Sequence, residues 1–343
     1  MTKSDRPRRV TVTDLALEAG VSIATVSYVL SGRKGVSISD PTRAKVLAAA
    51  EQLGYRRNGL AAALRTGRLN TIGVVCPVSV VPIHQLQLQT YISNAVLALT
   101  AAAVRRGMNP MLFFGEFASH MEPKDLADGR VDGVAVLSGS GLDAWVHSLV
   151  KTGLPCVEVG SAFGPYSVFP DHREGVRTAV KLLFDLGHRR FAYHAPWPDV
   201  TAAKERLAAF KSATAELGVS AEHSLFGPDV AELLHRKSRP TGLICFNDAT
   251  AVAAIRVASS LGLKIPQDLS IVGFDDDLRA VSCTPTLTTI HNPLDEIAAQ
   301  AIDMVLQLVQ GETVEARRIN VPTRLVLRES TGPPPALRST RSS

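Results

Sequence analysis

TVTDLALEAGVSIATVSYVLSG, residues 11–32, decides how the N-terminus folds. The Thr11 hydroxyl can cap exposed amides and Asp14, three residues on, can reach back, so a short helix opens here. Val12, Leu15, Ala16 and Ala19 recur on one face of it, and Gly20 ends it. Ser22 is placed to cap a second helix, from Ile23 to about Leu30, after a turn of only a few residues. So small a connection forces two helices to cross steeply, which is the helix-turn-helix layout. A third helix is expected through about Leu53, with Asp40 as cap and Pro41 at the first helical position; Val46, Ala49, Ala50 and Leu53 form its apolar face and Gly54 stops it.

Charge follows the same division. Residues 1–70 carry a net +7, whereas the whole 343-residue chain carries +5, so the remainder is close to neutral. A basic segment with clear hydrophobic periodicity on a near-neutral body points to an anionic polymer partner, because each neutralised phosphate releases counterions. The N-terminus, MTKSDRPRRV, has no apolar signal region, and no stretch approaches 18 uninterrupted apolar residues. No membrane association is expected, and the location implied is cytoplasmic. Cys76, Cys156, Cys245 and Cys283 are far apart, form no CxxC pair and sit in or beside apolar runs, as small buried hydrophobes in a reducing compartment do. Neither a metal nor a cofactor is expected.

From Thr71 the texture changes. Apolar runs at 72–77, 110–114, 131–137 and 155–159 alternate with helical stretches at 90–106 and 144–152. The second half repeats the rhythm, with strands at 191–194, 242–246 and 270–274 and helices at 175–186, 203–217, 250–261 and 294–310. Short strands buried on both faces and separated by helices predict doubly wound parallel sheets, here two such units.

The stretch quoted above, with YRRNGLAAALRTGRLNTIGVV (55–75), resembles the N-terminal module of the LacI/GalR family of bacterial transcriptional regulators. FDLGHRR (184–190), ERLAAF (205–210), FNDATAVAA (246–254), GLKIPQDLSIVGFDDD (262–277), TPTLTTI (284–290) and VPTRLVLRES (321–330) agree in the same order, so the resemblance covers nearly the whole chain. It implies an N-terminal all-α helix-turn-helix of three helices plus a hinge helix. A two-lobed α/β core would follow, shaped like periplasmic sugar-binding proteins, with a small molecule between the lobes. The expected division is a basic tail (1–9), helix-turn-helix (10–57), hinge helix and linker (58–70), core (71–331) and a disordered tail (332–343). The implied function is sequence-specific transcriptional regulation by a repressor under small-molecule control. Its implied partners are double-stranded operator DNA, a carbohydrate effector and a second copy of the chain.

For DNA, the second helix is the candidate reader. Ser22, Ile23, Ala24, Thr25, Ser27 and Tyr28 lie on or near its exposed side, where hydroxyls can meet base edges or phosphates and alkyl groups a thymine methyl, and Thr11, at the start of the first helix, is a further candidate DNA contact. The family often carries Arg where Tyr28 stands and polar residues where Ile23 and Ala24 stand, so no bidentate guanine contact comes from Tyr28. Two extra residues lie between Ser37 and Thr42 relative to the family pattern. Residues 58–65 resemble the hinge helix. By that resemblance Asn58 and Arg65 contact DNA and Leu64 is the leucine wedged into the minor groove. Eight residues are too few for a stable isolated helix, and Gly59 weakens this one further.

For the effector, loops at strand C-termini are the expected source of groups. Arg206 falls where the family's effector-contacting arginine lies, and its fork of donors suits vicinal hydroxyls or a carboxylate. Asp275 ends one strand; Asn247 and Asp248 end another. Helix capping or an interlobe salt bridge is the alternative for each. Phe246, Phe169 and Trp197 offer stacking faces for a sugar ring, or simply pack the core. The loop at 78–85 lacks the family's polar-aromatic stretch, and 115–129 is short enough to lose most of a helix. A core that only dimerises and binds no effector is therefore the alternative reading. An exported binding protein is disfavoured by the basic module. An enzyme is disfavoured by the lack of nucleotide-binding glycine motifs and of a GxSxG elbow.

Overall fold

The structure is a computed structural model that describes residues 10–31, 37–55, 67–76, 86–114, 121–137, 143–161, 164–196, 201–224, 230–315 and 317–335. The chain forms two compact units, Met1–Leu69 and Asn70–Ser343.

In the first unit, α1 (Val12–Ala19), α2 (Ile23–Ser31) and α3 (Asp40–Gln52) surround one small core. The expected capping box is present: Asp14 N–H donates to Thr11 Oγ1, and Thr11 N–H donates to Asp14 Oδ2 at 2.8 Å. Gly20 takes φ of 64°, a left-handed conformation that lets its N–H and that of Val21 close back on the last turn. The chain then bends by 103° between α1 and α2. Leu15, Ala16, Ala19, Val26, Val29, Val46 and Ala49 are buried together, with Leu30, Ile38, Leu53 and Tyr55 packed around them. One local expectation is corrected. Ser39, not Asp40, caps α3, its hydroxyl accepting from Thr42 N–H, which moves Pro41 one position into the helix. Ser39 wins because its own backbone is extended, with ψ of 144°, whereas Asp40 is already helical. The hinge at 58–65 lies outside the described residues.

The second unit holds two six-stranded sheets. The first contains β1 (Thr71–Cys76), β2 (Asn109–Phe114), β3 (Gly133–Leu137), β4 (Cys156–Val159), β5 (Ser167–Pro170) and β11 (Arg318–Val321), in the order β11-β5-β4-β3-β1-β2. The second contains β6 (Arg190–His194), β7 (Ser220–Ser224), β8 (Gly242–Cys245), β9 (Ser270–Asp275), β10 (Thr288–His291) and β12 (Arg324–Val326), in the order β12-β10-β9-β8-β6-β7. Every pairing is parallel except β10 with β12. In each sheet the order reverses between its first and third strands, the switch point where doubly wound folds open a crevice.

Helices α4 (Leu86–Arg105), α5 (Pro123–Leu126), α6 (Asp143–Lys151) and α12 (Leu294–Gln310) belong to the first lobe; α7 (His172–Asp185), α8 (Thr201–Glu216), α9 (Val230–His235), α10 (Asp248–Ser260) and α11 (Leu278–Ser282) to the second. The chain crosses between lobes three times, at Asp171, at Asn292–Pro293 and between Val321 and Arg324. Helix α12 returns to the first lobe because Ile297, Ala301, Ile302 and Val305 fall on one face and bury against β3, β4 and α4.

The second half is pinned by His188, whose ring nitrogens pair with Thr241 Oγ1 at 2.9 Å and with the Gly332 carbonyl at 2.9 Å. The sequence places Gly332 at the start of a disordered tail; its carbonyl and its N–H, which donates to Ser270 Oγ, tie it to the core instead. Only 336–343 of that tail lie outside the described residues. Among the described residues of 115–129 there is a single turn of helix, α5, and its Leu126 is buried.

Candidate functional site

Two places gather the candidate residues, one in each unit. On the first, Ser22, Ile23 and Ala24 are exposed at the start of α2, and Thr25, Ser27 and Tyr28 are half-buried. Ser22 Oγ accepts from Thr25 N–H at 3.1 Å and shares a second bond with Thr25 Oγ1 at 2.9 Å. Val26 and Val29 turn inward, which fixes the opposite side of α2 outward. Thr11 sits at the exposed N-cap of α1, and Asn58, Leu64 and Arg65 lie outside the described residues.

The second place lies at the C-terminal ends of β6, β8 and β9, and Arg206 on α8 is its centre. Arg206 is 3% exposed, yet its guanidinium is well engaged. Nε donates to His172 Nδ1 at 3.2 Å, Nη1 donates to the Phe246 carbonyl, and Nη2 stands 3.7 Å from the Asp275 carboxylate. The rings of Phe274 and Phe246 flank it, at 3.5 and 4.8 Å from guanidinium carbon to centroid. Because His172 Nδ1 accepts, the proton of the neutral imidazole sits on Nε2, 3.8 Å from Glu205. Burial, with the Arg206 charge second, holds His172 well below the usual histidine range.

Asp275 ends β9 with φ of 108°, a strained conformation for an L-residue that aims its carboxylate at Arg206 and at Asn292 Nδ2, 3.3 Å away. Burial pushes its pKa up to about 6, against the opposing pull of Arg206. Three buried polar atoms near this group have no hydrogen-bond partner among the described residues, His172 Nε2, Tyr193 Oη and Asn292 Oδ1. Orphaned polar atoms are costly and rare in native interiors, so three beside a buried arginine mark a place where a polar guest would complete the bonding. A cavity of about 740 Å³ opens alongside, lined by Tyr91, Asn94, Asp275, Asp276, His291 and Asn292. Tyr91 comes from the first lobe. Burial raises its hydroxyl to about 12, with Asp275 adding and Arg206 opposing, so groups from both lobes share one electrostatic neighbourhood. Arg279 bridges the lobes there, donating to Asp277 and to Thr90 Oγ1, each at 2.6 Å.

The remaining candidates fall elsewhere. Asn247 caps α10, its side-chain oxygen accepting from Thr250 N–H and Oγ1. Asp248 is fully buried, accepting from Thr289 Oγ1 and from Asp277 N–H, so its carboxylate braces β9 and β10. Phe169 is half-buried on β5; like Arg206, Phe246 and Tyr193 it is not among the residues lining the cavity, which meets the Arg206 group through Asp275 and Asn292, and Trp197 lies outside the described residues. Tyr91, His172, Tyr193 and Asn292 went unnoticed in the sequence; only the position of His172 at the head of a helix, directly after Asp171, was a usable signal.

A helix-turn-helix unit followed by a two-lobed, doubly wound core with a polar cleft defines a class, the two-part DNA-binding transcription regulators. Residues 11–58 match bacterial regulatory proteins of the lacI family, and residues 180–331 match the periplasmic binding protein-like domain. Catabolite control protein A of Priestia megaterium is 30% identical, over 94% of this chain and 99% of its own. The transcriptional regulator CelR of Thermobifida fusca is also 30% identical, over 95% and 99%. Among solved structures, the lac repressor dimer bound to operator and the anti-inducer ONPF superposes with a TM-score of 0.81 at 28% identity, covering 95% of this chain and all of that one. A complex of CelR with cellobiose gives 0.67 at 29% identity over 94% and 100%. The chain belongs to the LacI family of bacterial regulatory proteins. It is a sequence-specific DNA-binding regulator of transcription, and among the described residues no single helix is long and apolar enough to cross a membrane.

Proposed function

We propose that the protein is a homodimeric repressor whose hold on its operator is set by a carbohydrate bound between the lobes of its second unit. The observation that carries the reading is the Arg206 site: a buried fork of donors flanked by two aromatic rings, facing Asp275, with the Tyr193 hydroxyl and Asn292 oxygen unpartnered. Donors, acceptors and apolar faces in one cleft suit a polyol ring better than an ion. The relative CelR, solved with cellobiose, supports that ligand class. In this reading Arg206, Asp275 and Phe246 hold the ligand, together with Tyr91, His172 and Asn292, and Asn247 and Asp248 are structural supports. Ser22, Ile23, Ala24, Thr25, Ser27 and Tyr28 read the operator, with Thr11 on phosphate. Asn58, Leu64 and Arg65 keep the hinge role that family resemblance gives them.

A homodimer is supported by apolar side chains left outside, Leu97 and Val104 on α4 and Leu278 and Val281 on α11. A ligand that prefers one arrangement of the lobes shifts operator affinity by the difference between its two affinities. Thermal unfolding of the full chain against mono- and disaccharides tests the proposal. A true ligand at a hundredfold its Kd adds about 2.7 kcal/mol to stability. A panel in which no sugar raises Tm would remove the carbohydrate from the account.

A further inference from the structure

We infer that this regulator reads its operator chiefly through thymine methyl groups, with Ile23 as the side chain that meets them; the inference rests on α2 being the DNA-reading helix. Between Ser22 and Leu30 there is no Arg, Lys, Asn, Gln, Asp or Glu. Those are the side chains that make paired bonds to guanine O6 and N7 or adenine N6 and N7, or accept from cytosine N4. The hydroxyls do not replace them. Ser22 and Thr25 are bonded to each other at 2.9 Å, and Ser22 Oγ also accepts from the Thr25 amide. Ser27 and Tyr28 have one hydroxyl each, whose single proton cannot make the paired donation to guanine O6 and N7, and both are half-buried.

What the first turn of α2 presents outward is aliphatic. Ile23 is 52% exposed and Ala24 beside it is exposed, while Val26 and Val29 occupy the core and cannot turn. The first residues of a reading helix are the ones that reach base edges. In the major groove the distinctive apolar group is the thymine C5-methyl. An isoleucine laid against it buries hydrocarbon on both sides. Laid against cytosine N4 or guanine O6 it would strip water from a polar group and offer no bond in return. The same residue thus attracts thymine and penalises a G·C pair, so the half-site facing α2 is rich in A·T pairs.

The test begins by selecting bound sequences from random duplex DNA with the full chain, then replacing each recurrent thymine of a half-site, one at a time, by deoxyuridine. The swap removes one methyl and leaves every hydrogen-bonding edge intact. At least one swap is expected to weaken binding about fourfold, the worth of one buried hydrocarbon group. Ile23→Ala should lose affinity for the thymine duplex and become indifferent to that swap. Ile23→Val, which keeps a β-branched side chain at this exposed position, should retain part of the preference. Equal affinity of the unaltered protein for thymine and uracil duplexes would overturn the inference. So would an Ile23→Ala protein that keeps the full thymine preference, or a selected half-site without thymine. Those three results leave α2 as the reader; retained DNA with no shared sequence would remove that assignment and the inference with it.

Discussion

The guanidinium carbon of Arg206 stands 3.5 Å from the centroid of the Phe274 ring. A planar cation at that distance is stacked on the aromatic face, which fixes the plane of its donors before any ligand arrives. Arg206→Lys keeps the charge but loses both the stack and the fork. It is expected to weaken ligand binding by about tenfold or more, the worth of one or two bonds to a charged group. Titration calorimetry with the sugar found by thermal shift measures it, and unchanged affinity would return Arg206 to a structural role.

Asp275 should give stability an unusual pH dependence. Its folded pKa of about 6 lies above the value of about 3.9 for an unfolded aspartate. Between those values the folded state holds a proton that the unfolded chain lacks. The group's contribution is therefore full below about pH 4 and declines as pH rises through 6. Its slope cannot exceed about 1.4 kcal/mol per pH unit for one proton. Urea unfolding of the wild type and of Asp275→Asn at several pH values isolates it, and the variant is expected to lack that downward component. Parallel curves would contradict the assignment.

Gly273→Ala should be severe for a steric reason. A Cβ there would lie 2.2 Å from Asp248 Oδ1 and 2.8 Å from Leu287 Cδ2, and Asp248 is held on both sides by Thr289 and the Asp277 amide. Overpacking in a rigid setting costs about 1–3 kcal/mol. Equilibrium unfolding should show a loss of at least that size in the second unit.

Thr11→Ala removes the hydroxyl that accepts from Asp14 N–H and donates to Asp14 Oδ2, and leaves of the capping box on α1 only the backbone N–H bond to Asp14. A loss of about 1 kcal/mol is expected, concentrated in the small first unit. Circular dichroism of the full chain should show an earlier first melting step, and specific DNA affinity should fall with it at that temperature.

What could be read in advance follows from how far each feature reaches along the chain. The Thr11–Asp14 box, the turn at Gly20 and the Ser22 cap each lie within a few residues, so the helix-turn-helix was legible. Ser39 and Asp40 are adjacent acceptors, either chemically able to cap α3, and only the backbone decides between them. Strands β5, β7, β10, β11 and β12 escaped: β7 (SAEHS) carries no apolar run, the other four are three or four residues long, and β11 and β12 also sit beside strands far away in sequence. The parallel pairing of β10 with β9, which sets His291 opposite Asp275, is what brings Asn292 next to Asp275. Arg206 was visible by resemblance and Asp275 by its place at the end of a strand. Tyr91 was not, since no periodicity or motif marks a residue whose neighbours in the site lie more than a hundred positions away, and His172 offered only its place at the head of a helix.

The central claim is that the first unit selects DNA by sequence. The most direct measurement is recovery of the source genome's fragments that the purified full chain retains at about 150 mM salt, where charge-driven binding is weak. A shared short palindrome among the retained fragments is the predicted result. Fragments without any common sequence would contradict it, leaving the first unit a basic patch that holds DNA by charge alone.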